Sequence, residues 1–120
     1  MNKSEYGVFC RLEKLLSASH RGYRVFLQVS LGEILGSDDK QAYLPINSKR
    51  ADFVIIDWPR QPIAVVEYHV SGYFKDDAIV RDAVKREACS NAGIAFIELS
   101  ASYTDADIKA ISDRLHVKAA

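Results

Sequence analysis

Two short, dense apolar segments, Asp52 to Trp58 and Ile63 to Tyr68, stand on either side of Pro59-Arg60-Gln61-Pro62. Neither proline can donate to a strand ladder, so the quartet marks where pairing stops and predicts a hairpin. Both faces of the pair are apolar, with Val54 and Ile56 on one and Phe53 and Ile55 on the other. Strands of that kind sit at the centre of a sheet and need helices on both sides to cover them. This hairpin therefore commits the chain to a layered α/β architecture.

The flanking segments supply the cover. From Ser4 to Ser19 the residues Val8, Phe9, Leu12, Leu15 and Leu16 recur at intervals of three and four, the spacing of one helix face. Ser4 is placed as its N-cap and Gly22 follows its end. Tyr23 to Ser30 alternates Val25, Leu27 and Val29 with Arg24, Phe26 and Gln28, which predicts a strand near a sheet edge. Leu31 to Leu35 is read as one short helical turn, and the polar stretch Ser37 to Ser48, with Pro45, as a loop. Asp76 to Asn91 is a helix ended by Gly93, Ile94 to Leu99 a short buried strand, and Asp105 to His116 a helix capped by Thr104 with Asp107 three residues on. The order α-β-β-β-α-β-α predicts one domain over residues 1–120, a central mixed sheet of about four strands flanked by helices.

Composition removes several classes of function. The 120 residues are 48% hydrophobic and 27% charged, enough apolar surface to fold and unlike a disordered tail. Lys and Arg number 16 against 16 Asp and Glu, and a zero balance argues against tight, sequence-independent adsorption to nucleic acid or anionic lipid. The longest apolar runs, Phe53 to Ile56 and Ile63 to Val66, fall far short of the ~20 residues of a membrane span. The polar start Met1-Asn2-Lys3-Ser4-Glu5 does not read as a secretory signal. Cys10 and Cys89 lie in expected helices without metal-finger spacing, which predicts a reduced cytoplasmic protein with two buried thiols and no membrane partner.

Charge at the ends of the most hydrophobic strands is the feature that bears on function. Asp52 opens the first central strand, and Glu67 and His69 close the second. Carboxylates there cost several kcal/mol to desolvate unless something compensates. If a four-residue loop sets Trp58 opposite Ile63, Asp52 faces His69 and Glu67 faces Val54, and all three point to one side of the sheet. Two carboxylates so placed can grip one divalent cation. Solvated gatekeepers that block edge pairing would leave the same residues in the same places.

The succession Lys49-Arg50-Ala51-Asp52-Phe53-Val54-Ile55, Ile63-Ala64-Val65-Val66-Glu67-Tyr68-His69, Arg81-Asp82-Ala83-Val84-Lys85 and Ala92-Gly93-Ile94 resembles the PD-(D/E)XK nuclease-like superfamily. It is most similar to the small single-domain branch that includes very-short-patch-repair-type endonucleases and related uncharacterised domains. The resemblance runs from Glu5 to about Leu99, and the order of short motifs carries it. It implies a restriction-endonuclease-like core in which Asp52 and Glu67 hold one or two Mg²⁺ (or Mn²⁺) ions, with Glu5 and the carbonyl of Tyr68 as further ligands. It also implies hydrolysis of a phosphodiester bond by a metal-activated water, a task suited to hard oxygen ligands.

The chain departs from that pattern at His69, where the superfamily usually has Lys and this branch often has Asp. A neutral imidazole can orient or deprotonate water near pH 7, but it lacks a permanent charge. Lys85, on the next helix, is the residue that would stand in for the missing lysine. A wheel at 100° per residue, with Ile79, Val80, Ala83 and Val84 as the buried face, sets Lys85 roughly 150° away, towards solvent. Arg81, Arg50 and Lys49 are candidates for contact with phosphate. Tyr73, beside Phe74, is either a base-stacking ring or a core cap. Arg11, Lys14, His20, Arg21 and Arg24 form a further basic group near the first helix and strand.

The expected function is a metal-dependent endonuclease acting on DNA, with a homodimer or a partner subunit supplying the targeting. Two alternatives accompany it. One is a catalytically silent nuclease-fold module that binds nucleic acid or protein, kept open by His69. The other is a Holliday-junction-type resolvase.

Overall fold

The computed structural model describes residues 3–35, 50–58, 60–69 and 76–119. Its elements run α1 (Lys3–Ser19), β1 (Arg24–Ser30), α2 (Leu31–Leu35), β2 (Arg50–Ile56), β3 (Pro62–His69), α3 (Asp76–Asn91), β4 (Ala95–Ser100) and α4 (Asp105–Ala119). The four strands form one sheet in the order β1-β2-β3-β4, antiparallel from β1 to β3 and parallel between β3 and β4. The architecture is thus α/β with a mixed sheet flanked by helices. The predicted loop over 37–48 lies outside the described residues. Among the described residues no helix is long and apolar enough to cross a membrane.

The central hairpin has a helical layer on each face. One core joins Val8, Leu12 and Leu16 of α1 and Ile108, Ile111 and Leu115 of α4 to Phe53, Ile55, Ala64 and Val66. The other is smaller, joining Leu31 of α2 and Cys89 of α3 to Ala51, Val54 and Val65. The polar alternation of β1 does belong to an edge strand.

Local signals fix the element ends. Asp107 N–H donates to Thr104 Oγ1 at 3.4 Å while Asp107 Oδ2 accepts from Thr104 N–H at 2.9 Å, the reciprocal box expected at the start of α4. At the end of α3, Gly93 has φ +75°. There Ile94 N–H reaches Cys89 C=O at 2.8 Å and Gly93 N–H reaches Ser90 C=O at 3.1 Å, a left-handed cap that returns the chain directly into β4. Helix α1 begins at Lys3, one residue before the expected Ser4 cap. Cys10 is exposed, a correction to the two buried thiols: it lies off the Val8–Leu12–Leu16 stripe, whereas Cys89 is buried.

The hairpin register differs from expectation by two residues. Strand β2 ends at Ile56, which pairs with Pro62, and the loop spans residues 57–61. Asp57 organises that loop, accepting Gln61 N–H on Oδ1 at 2.7 Å and Arg60 N–H on its carbonyl at 2.7 Å, with Arg60 at φ +81°. A bulge between Ile55 and Ile56 then sets Phe53 opposite Val66. An even shift keeps Phe53, Val54 and Ile55 on their predicted faces. It changes the partner, however: Asp52 comes opposite Glu67 instead of His69.

Candidate active site

Beyond the Phe53–Val66 pair, side chains take over from the ladder. Asp52 N–H donates to Glu67 Oε2 at 2.8 Å, and Tyr68 N–H donates to Asp52 Oδ2 at 2.9 Å. Each carboxylate thus accepts an amide of the opposite strand and is held between β2 and β3. Backbone donors satisfy one oxygen of each acid, as burial requires.

The edge strand has a matching irregularity. Its register with β2 places Gln28 opposite Asp52, and Gln28 has φ +50°, in the left-handed region. Residues two apart in a strand normally share a face. Here Leu27 packs in the larger core and Val29 against the smaller one, and across from them Phe53 and Ala51 divide the same way. Both strands therefore change facing at the Gln28–Asp52 step. A non-glycine residue in this conformation costs about 1–2 kcal/mol, and the strain sits beside the acid pair.

Helix α3 brings a cation to the acids. Lys85 Nζ lies 2.5 Å from Glu67 Oε1, with Lys85 15% and Glu67 2% exposed. This corrects the wheel, which turned Lys85 to solvent. The face that α3 presents runs through Lys85, Ala88 and Cys89, while Ala83 is exposed. Small residues at 88 and 89 allow close approach of the helix to the sheet, where the lysine head meets the buried carboxylate. Burial pushes the Glu67 carboxyl above its ordinary value, against the opposing pull of the Asp52 amide and of Lys85. Burial, aided by the charge of Glu67, pushes the Cys89 thiol up to about 11, so it is a packing residue and no nucleophile.

A second ionic chain runs beside the first. Parallel pairing sets Glu98 of β4 level with Glu67, and Glu98 meets His69 Nε2 at 3.5 Å and Arg86 Nη2 at 2.8 Å. Arg86 also lies over the Phe96 ring, 5.3 Å from its centroid. Sequence reasoning missed Glu98 and Arg86. Aligning Glu67-x-His69 with Glu98-x-Ser100 in parallel would have found Glu98, but nothing in the separate strands fixes that register.

The remaining candidates divide. Tyr68 enters the site through its amide, and its ring packs on the other side against Tyr103, 6.4 Å between centroids. Arg50 is exposed at the start of β2, two residues from Asp52. Lys49, Tyr73 and Phe74 lie outside the described residues, as does the side chain of Arg81. Glu5 is in the first turn of α1, whose buried face joins the larger core, whereas Glu67 turns to α3. Among the described residues no group of three Asp, Glu, His or Cys side chains is arranged to hold a metal ion. Two members of the basic group are engaged in the fold: Arg11 pairs with Asp105 and stacks on Tyr103, and His20 is buried with Nε2 3.0 Å from Ser112 Oγ.

The donor chemistry fits a small, hard divalent cation. Two carboxylates on adjacent strands are fixed by amides, and hydrogen bonds among the described residues engage Asp52 only at Oδ2. Mg²⁺ typically takes one or two protein carboxylates and completes its shell with water and substrate oxygens. Lys85 occupies the other Glu67 oxygen, so a positive charge already has a place there.

Comparison with known proteins gives relatives over nearly the whole chain. The family described as "Protein of unknown function (DUF2726)" matches residues 1–117. An "Uncharacterized protein" of Haemophilus influenzae is 50% identical over 115 residues, 96% of this chain and 60% of that protein. The "Uncharacterized protein y4bI" of Sinorhizobium fredii is 39% identical over 116 residues, 96% of this chain and 84% of that protein. The chain therefore spans about three fifths of the Haemophilus relative's length. No solved structure matches it.

Proposed function

For this chain, which belongs to the DUF2726 family, we propose metal-dependent hydrolysis of phosphodiester bonds in DNA on a restriction-endonuclease-like core. The observation that carries this reading is the convergence of Asp52, Glu67 and Lys85 at one end of the central hairpin, two amide-fixed carboxylates and an ammonium from three elements. A cluster of that kind is expensive to bury, and a purely structural role is better served by apolar residues. It has the residue types and chain order of the PD-(D/E)XK resemblance, with the lysine arriving from α3 in place of His69.

Asp52 and Glu67 would hold Mg²⁺ or Mn²⁺, which when bound lowers the pKa of water and offsets charge on the transferring phosphoryl group. The amides of Asp52 and Tyr68 keep the two carboxylates oriented, which limits reorganisation during the reaction. Lys85 would supply positive charge to a scissile phosphate. His69, with Nε2 3.5 Å from Glu98, would accept or relay a proton at the margin of the site. The balance of 16 basic and 16 acidic residues is compatible with DNA as substrate, because acids concentrated at the site would be neutralised by the cation.

A cytoplasmic location, and a homodimer or partner subunit that selects the target, belong to the same proposal. The second reading is a silent binding module on the same fold. It is favoured by the Lys85–Glu67 pair, which satisfies the buried acid without a metal. A plasmid-nicking assay in Mg²⁺ or Mn²⁺, with Asp52→Ala and Glu67→Ala beside the wild type, separates the two. Cleavage by the wild type alone supports the enzyme. No cleavage across linear, circular and four-way-junction DNA, with no metal-induced rise in melting temperature, leaves the binding module. Preference for four-way junctions would identify a resolvase.

A further inference from the structure

We infer that Lys85 is the resident cation of the acid pair, and that a divalent metal enters by exchange with its ammonium group. The inference rests on the metal-site reading above and adds how that site is guarded. Lys85 Nζ sits 2.5 Å from Glu67 Oε1, and Glu67 is almost fully buried. Asp52 and Glu67 together carry two negative charges, and Lys85 returns one. A dication added to all three leaves a net positive charge in a poorly solvated place, whereas a dication on the two acids alone is neutral. Like charges confined together repel strongly where water cannot screen them. The ammonium must therefore leave Glu67 as the metal arrives. Its four-carbon stem, anchored on α3, allows the head to swing while the helix stays in place.

This exchange gives the buried acid a partner in either state. Without the metal, Glu67 is paired with Lys85; with it, Glu67 is a ligand and the lysine head is released towards solvent or a substrate phosphate. Lys85 thus sets the threshold for loading, so the site discriminates against weakly held or monovalent cations and fills only when the metal can displace the lysine.

The test is Mn²⁺ binding by calorimetry to the wild type, Lys85→Met and Lys85→Arg, with Asp52→Ala as the control for the site. Methionine matches the lysine stem and drops the charge, and arginine keeps the charge. The expected result is at least tenfold tighter Mn²⁺ binding by Lys85→Met, with Lys85→Arg near the wild type. An independent readout on the unmodified chain is the rate of amine labelling at each lysine by mass spectrometry. Lys85 should be slow without metal and several-fold faster in saturating Mg²⁺, while exposed Lys109 is unchanged. Wild-type binding that depends on Asp52, with Lys85→Met equal or weaker and Lys85 labelling unaffected by Mg²⁺, would overturn the exchange and leave the metal site standing. Absence of Asp52-dependent binding in all variants would overturn both.

Discussion

The two faces of the central sheet are built to different rules. On the side of α1 and α4 the core is apolar, from Val8, Leu12 and Leu16 to Ile111 and Leu115, with the buried His20–Ser112 hydrogen bond beside it. On the side of α2 and α3 the apolar core is smaller, and it gives way to Glu67, Lys85, Glu98 and Arg86. The same strands serve both, so the difference lies in which residues were placed at the ends of β2, β3 and β4. A face built for stability needs no ion pair. One that keeps a buried carboxylate, its lysine and a left-handed Gln28 gives up stability that apolar packing would have supplied.

Mutations on the two faces should therefore separate stability from activity. The largest stability effect is expected from Leu12→Ala, which removes a fully buried α1 side chain and should cost about 3 kcal/mol in denaturant unfolding. Metal affinity of the remaining folded protein should not change. A parallel loss of Mn²⁺ affinity would mean that the faces are not independent.

A smaller effect is expected at the step where the strands change facing. Gln28→Gly removes the left-handed penalty but adds freedom to the unfolded chain, so a net gain of about 0.5–1 kcal/mol should follow. Gln28→Val, which favours extended backbone, should destabilise by about 1 kcal/mol and weaken Mn²⁺ binding through Asp52. Equal stability of the glycine and valine variants would remove the kink from the account.

The smallest effect concerns pH. Because burial raises the Glu67 carboxyl above its ordinary 4.5, the folded chain holds that proton more tightly than the unfolded one. The contribution of this group is complete below the unfolded value near 4.5 and is lost as pH rises through the higher folded value. The stability difference between Glu67→Gln and wild type should accordingly shift in favour of the variant as pH climbs from about 4.5 to neutral. A difference that stays constant across that range would contradict a desolvated Glu67.

Much of the fold was legible because it rests on local signals. The proline-bounded hairpin, the α1 stripe, the Thr104–Asp107 box and the Gly93 cap each specify their element within a few residues. The acid pair was legible in kind, since carboxylates at the ends of apolar strands are costly wherever the register falls. Its exact pairing was not, because Asp57 and the bulge at Ile55–Ile56 set the loop, and a bulge leaves no mark in the pattern of apolar residues. Lys85 was misjudged for a related reason. The wheel weighed hydrophobicity alone, but what turns α3 is the closeness allowed by Ala88 and Cys89 and the charge of Glu67 across the gap. Glu98 and Gln28 depend on partners that their own segments do not specify.

The central claim is that Glu67 is kept for chemistry and at a cost to stability. The most direct measurement is the initial rate of Mg²⁺-dependent plasmid nicking by Glu67→Gln, on protein whose cooperative unfolding is recorded at the same pH. The account predicts a loss of about 10³-fold, equivalent to ~4 kcal/mol of transition-state stabilisation, in a variant that melts no lower than the wild type at neutral pH. A Glu67→Gln protein that nicks DNA within a few-fold of the wild-type rate would contradict it.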